Sequence, residues 1–252
     1  MFRPRVIPVL LLKNKGLVKT RKFGKSKYIG DPINAVRVFN DLEADELVFL
    51  DITASLEKRT VSVDLIRKIG DEAFMPFAVG GGIAAVDDIG ALLNAGAEKV
   101  VINTAAVSDS TFIRRAADLF GNQSIIASVD VKKNVWGNYK VYTMSGQKVI
   151  SKQPVQVAIE MAEAGAGEIL LNAMDRDGEM CGYDLELVRH ISDAVDIPVI
   201  ACGGAGCLDD IVGVVKQGGA SAAAAGSLFV FHGPRRAVLI NYPDRTELID
   251  HF

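Results

Sequence analysis

The sequence predicts an α/β chain folded as a single (β/α)8 (TIM) barrel made of two similar half-barrels. Three observations predict it. Short aliphatic runs alternate with segments of helical apolar spacing along the 252 residues, and eight such runs are present. The runs are apolar on nearly every residue, as strands covered on both faces must be. The chain also repeats itself: MPFAVGGGIAAVDDIGALLNAGAEKV, from position 75, is matched by IPVIACGGAGCLDDIVGVVKQGGASA, from position 197. Eight strand–helix units in about 250 residues is the size of one barrel. An open doubly wound sheet is the competing arrangement. It is disfavoured because no G-x-G-x-x-G follows the first strand.

Strands are expected at 5–12, 46–52, 76–79, 99–102, 124–129, 168–171, 198–201 and 222–225, each a short aliphatic or β-branched run. Helices are expected between them at 32–42, 62–73, 86–95, 109–120, 154–164, 185–193 and 208–217, where apolar residues return at helical spacing. In the repeat, Pro76 aligns with Pro198, Gly81 with Gly203, Asp88 with Asp210 and Gly96 with Gly218, all at one constant offset. ADELVFL at 44–50 aligns with AGEILLN at 166–172, and the first strand VIPVLLL meets IIASVDV at 125–131. The half-barrels fall at about 1–122 and 123–252. No Pro/Gly/Ser-rich linker separates them, so 1–252 reads as one domain.

Composition narrows the class. Apolar residues make up 49% and charged residues 23%, enough for a large core. The net charge of −3 argues against a general nucleic-acid binder. No apolar run approaches the roughly twenty residues of a membrane span. The start, MFRPRVIP, carries no secretory pattern. Three cysteines do not make a disulfide framework, which points to the cytoplasm.

Barrel sites lie at the carboxyl ends of strands. There, Gly80-Gly81-Gly82 and Gly203-Gly204 follow repeat-related strands, and Asn103-Thr104 and Gly226-Ser227 follow the next strand of each half. Such glycines let backbone N–H groups approach an anion, so two such sites suggest a ligand with a phosphate at each end. The same glycines would also serve tight turns. Carboxylates gather nearby: Asp51, Asp130, and Asp175 and Asp177 of DRDG, the last beside Gly178. A lone Asp there most often caps a helix or pairs with a base. Asp130 ends an apolar strand and is expected to face the mouth, where a carboxyl can do acid/base work. Its repeat partner is Leu11, so one half supplies an acid and the other an aliphatic chain.

At the other end, four strands begin with a charge: Arg5, Glu46, Lys99 and Glu168. A paired ring at the barrel floor, or ordinary solvation of single charges, would each satisfy them. The ring would leave a polar axis along which a small polar molecule could pass. Lys13, Lys15, Lys19, Arg21, Lys22, Lys25 and Lys27 form a basic loop after the first strand, either folding over an anionic substrate or simply solvated. His190, His232 and His251 are scattered and the cysteines lack C-x-x-C spacing, so no metal and no cofactor are expected. Cys202 has no neighbouring histidine base and reads poorly as a nucleophile.

Taken together, GDPINAVRVFNDLEADELVFLDITAS at 30–55, VGGGI at 79–83, KVVINTAAV at 99–107, GAGEILLNAMDRDGEMCGYDLEL at 165–187 and IPVIACGGAG at 197–206 resemble the cyclase subunit of imidazole glycerol phosphate synthase, the HisF family. The resemblance covers nearly the whole chain. It implies a barrel whose mouth binds a bis-phosphate ribosyl substrate. It also implies a HisH-like glutaminase docked at the floor and ammonia passing through a charged gate. It carries Arg5, Glu46, Lys99 and Glu168 onto the gate. It carries Lys19, Asn103, Thr104, Asp177, Gly203, Gly204 and Ser227 onto ligand-binding positions, which Gly81, Gly82, Gly178 and Gly226 extend. Asp130 falls on one of the family's two catalytic aspartates.

The chain departs from the family at the other. The usual P-C-L-D-V pattern reads Pro8-Val9-Leu10-Leu11-Leu12, Asn14 replaces a usual acid, and the tail RRAVLINYPDRTELIDHF diverges. In this it resembles the HisF-like paralogues found with surface-polysaccharide genes, associated with acetamidino formation on nucleotide-linked or glycosyl sugars. That resemblance implies a phosphorylated or nucleotide-linked small-molecule substrate and an amidotransferase-type protein as a further partner. An active histidine-pathway cyclase and a non-catalytic scaffold that activates its glutaminase are the other readings.

Overall fold

The computed structural model describes residues 4–252. β1 (Arg5–Lys13) turns into β2 (Gly16–Lys19) and β3 (Lys27–Gly30), and α1 (Pro32–Asp41) follows. The next units are β4 (Leu47–Asp51) with α2 (Val63–Glu72), and β5 (Phe77–Gly80) with α3 (Val86–Asn94). β6 (Lys99–Ile102) leads into α4 (Thr104–Ser108) and α5 (Ser110–Phe120). β7 (Ile125–Lys133) continues into β8 (Tyr139–Thr143) and β9 (Lys148–Ile150) before α6 (Pro154–Glu163). β10 (Glu168–Ala173) with α7 (Leu185–Ser192) and β11 (Val199–Cys202) with α8 (Leu208–Lys216) come next. β12 (Ala222–Ala225), α9 (Ser227–Val230), β13 (Phe231–His232), β14 (Ala237–Val238) and α10 (Arg245–His251) end the chain.

β1, β4, β5, β6, β7, β10, β11 and β12 pair in parallel in that order, and β12 pairs back onto β1. The predicted (β/α)8 barrel is therefore closed, with helices between its strands. Helix starts are chemically marked. Asp31 accepts from the N–H groups of Ile33 and Asn34 at 3.0 Å with Pro32 in the first turn, and Asp109 and Asp184 cap α5 and α7 in the same way.

Because side chains alternate across a strand, each strand feeds two separate cores. Val6, Leu10, Leu12, Leu47, Phe49, Val100, Ile102, Ile125 and Ile169 pack outward against the helices. Ile7, Val9, Val48, Ala78, Val101, Ile126, Leu170, Ile200, Ala222 and Ala224 fill the barrel, with Leu11 and Leu50 packed on top. The lumen is thus a plug of aliphatic side chains, polar only at its ends.

The floor is closed by a four-membered ring of charges. Arg5 spans Glu46 and Glu168, the latter at 2.9 Å. Lys99 Nζ lies 3.3 Å from Glu46 and 3.2 Å from Glu168. Burial opposes the Arg5 charge, but the two carboxylates outweigh it and raise the guanidinium pKa further. Each ion contacts two of opposite sign, so the four charges compensate one another as a group.

Two expectations are corrected. The basic segment after the first strand is only partly a loop, with Arg21, Lys22 and Lys25 in the connection 20–26. It also holds β2, which pairs antiparallel with β1, and β3, which pairs antiparallel with β2. The turn Asn14-Lys15 is a two-residue loop with both φ values positive, as a tight hairpin requires, but it lacks the Asn-Gly signal that reveals such turns. Likewise β7 runs past its expected end at 129 because it pairs with β8, opposite Tyr139 to Tyr142.

Breaking the ring should be costly. Glu46, with its side chain 2% exposed, is shared by both cations. Glu46→Ala should lower unfolding free energy in urea by about 3 kcal/mol, the scale for stripping one partner from a buried ion pair. Arg67→Ala, whose pair with Asp64 is exposed, should change it by less than about 0.5 kcal/mol.

Candidate functional site

Above the aliphatic plug opens a cavity of about 700 Å³ at the carboxyl ends of the strands. Lys19, Gly81, Gly82, Asn103, Thr104, Asp130, Asp177, Gly178, Gly203, Gly204, Gly226 and Ser227 all line it. The four charges at the floor do not. The residues singled out from the sequence therefore fall into two groups, one at each end of the barrel axis.

The glycine clusters occupy repeat-related strand ends. Gly82 has φ +68°, and a Cβ there would lie 1.8 Å from the Arg59 carbonyl oxygen. Gly204 has φ +115°, and a Cβ would lie 2.1 Å from the Gly182 carbonyl oxygen. Both positions therefore need glycine for conformation and for space. Gly226 serves a different purpose. A Cβ there would sit 2.1 Å from Lys19 Nζ, so the glycine makes room for an ammonium group between β2 and β12.

Lys19 is almost wholly enclosed. Its ammonium donates to the Val9 carbonyl oxygen at 2.6 Å. Burial lowers its pKa to about 8, while Asp177 opposes the fall. Asp177 is itself raised by burial and held down by Lys19, by the Thr20 hydroxyl at 3.3 Å and by the Phe23 N–H. Its carboxylate is thus directed at the β2–β3 hairpin as well as lining the cavity. Asn103 and Thr104 also carry structural duties. The Asn103 amide donates to the Ser128 carbonyl at 3.0 Å, and Thr104 Oγ1 accepts from the Met144 N–H at 3.1 Å.

Four carboxylates reach the cavity: Asp51, Asp88, Asp130 and Asp177. Asp51 is committed to Arg59 at 2.7 Å and to the N–H groups of Thr53 and Ala54. Asp88 caps the start of α3. Asp175 turns away and accepts from the Lys133 N–H. Asp130 faces inward from β7 and is 8% exposed. Burial pushes its pKa up to about 7; the Ser128 hydroxyl, at 3.2 Å, pulls it down and Asp177 pushes it up. At neutral pH this carboxyl is present in both protonation states, which suits proton transfer in either direction. Leu11 lines the same cavity from β1, four strands round the barrel. Burial pushes the Cys202 thiol up to about 12, so it stays protonated.

Sequence reasoning passed over two inward residues, Ser128 and Asn172. Asn172 shares register with Asp130 on β7 and with Cys202 on β11. The signal was available: in EILLNA, Glu168, Leu170 and Asn172 fall on one face by period two.

An eight-stranded parallel barrel with repeat-related glycine turns at its mouth and two buried carboxyls of raised pKa, Asp130 and Asp177, defines a (β/α)8 barrel with a cavity at the carboxyl ends of its strands. The family described as "Histidine biosynthesis protein" matches residues 5–234, and the chain belongs to it. A Pseudomonas aeruginosa protein provisionally named imidazole glycerol phosphate synthase subunit hisF2 is 50% identical over 248 residues, covering 98% of this chain and 99% of that one. A Vibrio vulnificus protein provisionally named subunit hisF3 is 46% identical over 98% of this chain and 95% of its own. The imidazole glycerol phosphate synthase subunit HisF of Alkaliphilus metalliredigens is 44% identical over 92% of each. The chain is HisF-like along nearly its whole length.

Asp130 should mark the stability curve. A carboxyl whose folded pKa is raised costs nothing below its unfolded value, 3.8, and costs progressively more as pH rises towards about 7. Asp130→Asn should therefore stabilise the protein at pH 8 by on the order of 2–4 kcal/mol. Near pH 3.5 it should leave stability nearly unchanged. Urea unfolding at the two pH values checks this.

Proposed function

We propose that this chain is the ammonia-accepting synthase subunit of a glutamine amidotransferase complex. A HisH-like glutaminase docks at the floor formed by Arg5, Glu46, Lys99 and Glu168. Ammonia passes this gate and rises along the barrel axis to the mouth. Ion pairs with every partner doubled make a gate that opens only when a side chain swings aside, and Lys99 is held by two contacts longer than 3 Å. At the mouth, Gly81, Gly82, Asn103 and Thr104 hold one phosphate of the acceptor. Lys19, Gly203, Gly204, Gly226 and Ser227 hold the other, with Asp177 and Gly178 anchoring the hairpin that carries Lys19.

The observation that carries the reading is the pairing of Leu11 with Asp130 across one cavity. A cyclase of this family uses two acids there by resemblance, and a leucine cannot transfer a proton. The acceptor is accordingly a phosphorylated or nucleotide-linked sugar, amidated to an acetamidino group for a surface polysaccharide, with an amidotransferase-type protein as further partner. Asp130 is the acid/base that remains.

The second reading is the cyclase of histidine biosynthesis, supported by relatives named as imidazole glycerol phosphate synthase subunits that match nearly end to end. One comparison separates the two: turnover of the bis-phosphate ribosyl substrate with saturating ammonium and no glutaminase, for the natural protein and for Leu11→Asp. The amidation reading expects the natural protein to be inert and Leu11→Asp to gain activity. Turnover by the natural protein at roughly 1 s⁻¹ or more would establish the cyclase reading instead.

A further inference from the structure

The half-barrel repeat carries a polar pair on one side only. Near the mouth, the inward residues of β7 are Ser128 and Asp130, two apart and so on one face of the strand. Their repeat mates on β1 are Val9 and Leu11, which belong to the aliphatic plug and its upper edge. The hydroxyl is therefore present in the half that has the acid and absent from the half that lacks it. Ser128 is 6% exposed, and a hydroxyl buried where the other half sets a valine is costly unless it is bonded. Its Oγ donates to Asp130 Oδ1 at 3.2 Å, the one hydrogen bond to that carboxyl among the described residues. Oδ2 makes none and is left to the cavity. The strand behind the pair is held fast. The Asn103 amide donates to the Ser128 carbonyl oxygen at 3.0 Å, and Asp130 is in register with Asn172 on β10 and with Tyr142 on β8.

We propose that Ser128 is the positioning residue of the lone acid: its O–H fixes Oδ1 as an acceptor and leaves Oδ2, the oxygen that gains and loses the proton, turned toward the ligand. A proton on Oδ1 would have to turn that bond round, so the proton settles on Oδ2. Ser128 acts through Asp130 and exchanges no proton with the substrate. The titratable groups around Asp130 are Tyr142 on β8, Asp177 after β10, Cys202 on β11, and Lys19 on β2, which acts on Asp177 and Cys202. Burial and Asp177 raise the Asp130 pKa, and only the Ser128 bond lowers it. The hydroxyl thus keeps the acid close to half-ionised, able to give and to take a proton, in a mouth where Leu11 can do neither. The inference rests on Asp130 being the acid/base that remains, and adds the residue that lets one acid serve both directions.

The test is carbon-13 NMR of the full chain labelled at its aspartate carboxyls, followed from pH 5 to pH 10, with Asp130→Asn assigning the signal. In the natural protein the Asp130 signal should titrate at about 7. Ser128→Ala should raise that midpoint by about one unit, a tenfold gain in proton affinity, because the lost bond favoured the charged form. Ser128→Thr, which restores a hydroxyl, should reverse most of the rise. A midpoint unchanged or lowered in Ser128→Ala overturns the positioning role and leaves Asp130 standing as the acid. An Asp130 signal in the natural protein that does not titrate in this range overturns the acid/base reading, and the positioning role with it.

Discussion

Everything in this molecule depends on the period of two in a closed sheet. Once eight strands close, every second side chain is committed to a space that water reaches only at its ends. Polar inward side chains are therefore tolerable at the floor and in the layers that line the mouth, and not in the plug between. On β10 the rule is visible in one strand: Glu168 at the floor, Leu170 in the plug, Asn172 at the mouth. On β7 it runs Ile126, Ser128, Asp130, and on β1 Arg5, Ile7, Val9, Leu11. The first strand sets Leu11 at the top where its repeat mate sets Asp130, and that difference sets the chemistry of the mouth apart.

The two ends solve the cost of buried charge differently. The floor compensates its charges within a ring, two cations against two anions, and its two carboxylates hold Arg5 more firmly charged. The mouth does the opposite. Lys19, Asp130 and Asp177 are all displaced toward their uncharged forms, chiefly by burial. A site strained in this way is poised to receive a ligand that supplies the missing charge or hydrogen bonds. An anion beside Lys19 would do so.

Much of this was legible in the sequence, for reasons that can be stated. Buried parallel strands are apolar throughout, so all eight barrel strands stand out from the helices. Repeat-related glycines cannot be replaced where a carbonyl would meet a Cβ, so Gly82 and Gly204 mark the mouth. Charges at strand starts fall on one inward face, so Arg5 and Glu168 announced the ring. The β2–β3 and β8–β9 additions were hidden. Their lysines obscure the short apolar pattern of Leu17 and Val18, and a turn at Asn14-Lys15 has no distinctive glycine. Asn172 reads as inward by the period of two, but one amide in an apolar strand says nothing of its role until its surroundings are visible.

The account stands on a mouth built to hold two phosphates on repeat-related turns. Crystals of the full chain soaked in inorganic phosphate test it most directly. The account predicts two bound anions, one against Gly81-Gly82 and Asn103-Thr104, the other against Gly203-Gly204 and Gly226-Ser227 within reach of Lys19. Phosphate at neither turn, with anions only on the exposed lysines of the hairpins, would contradict it.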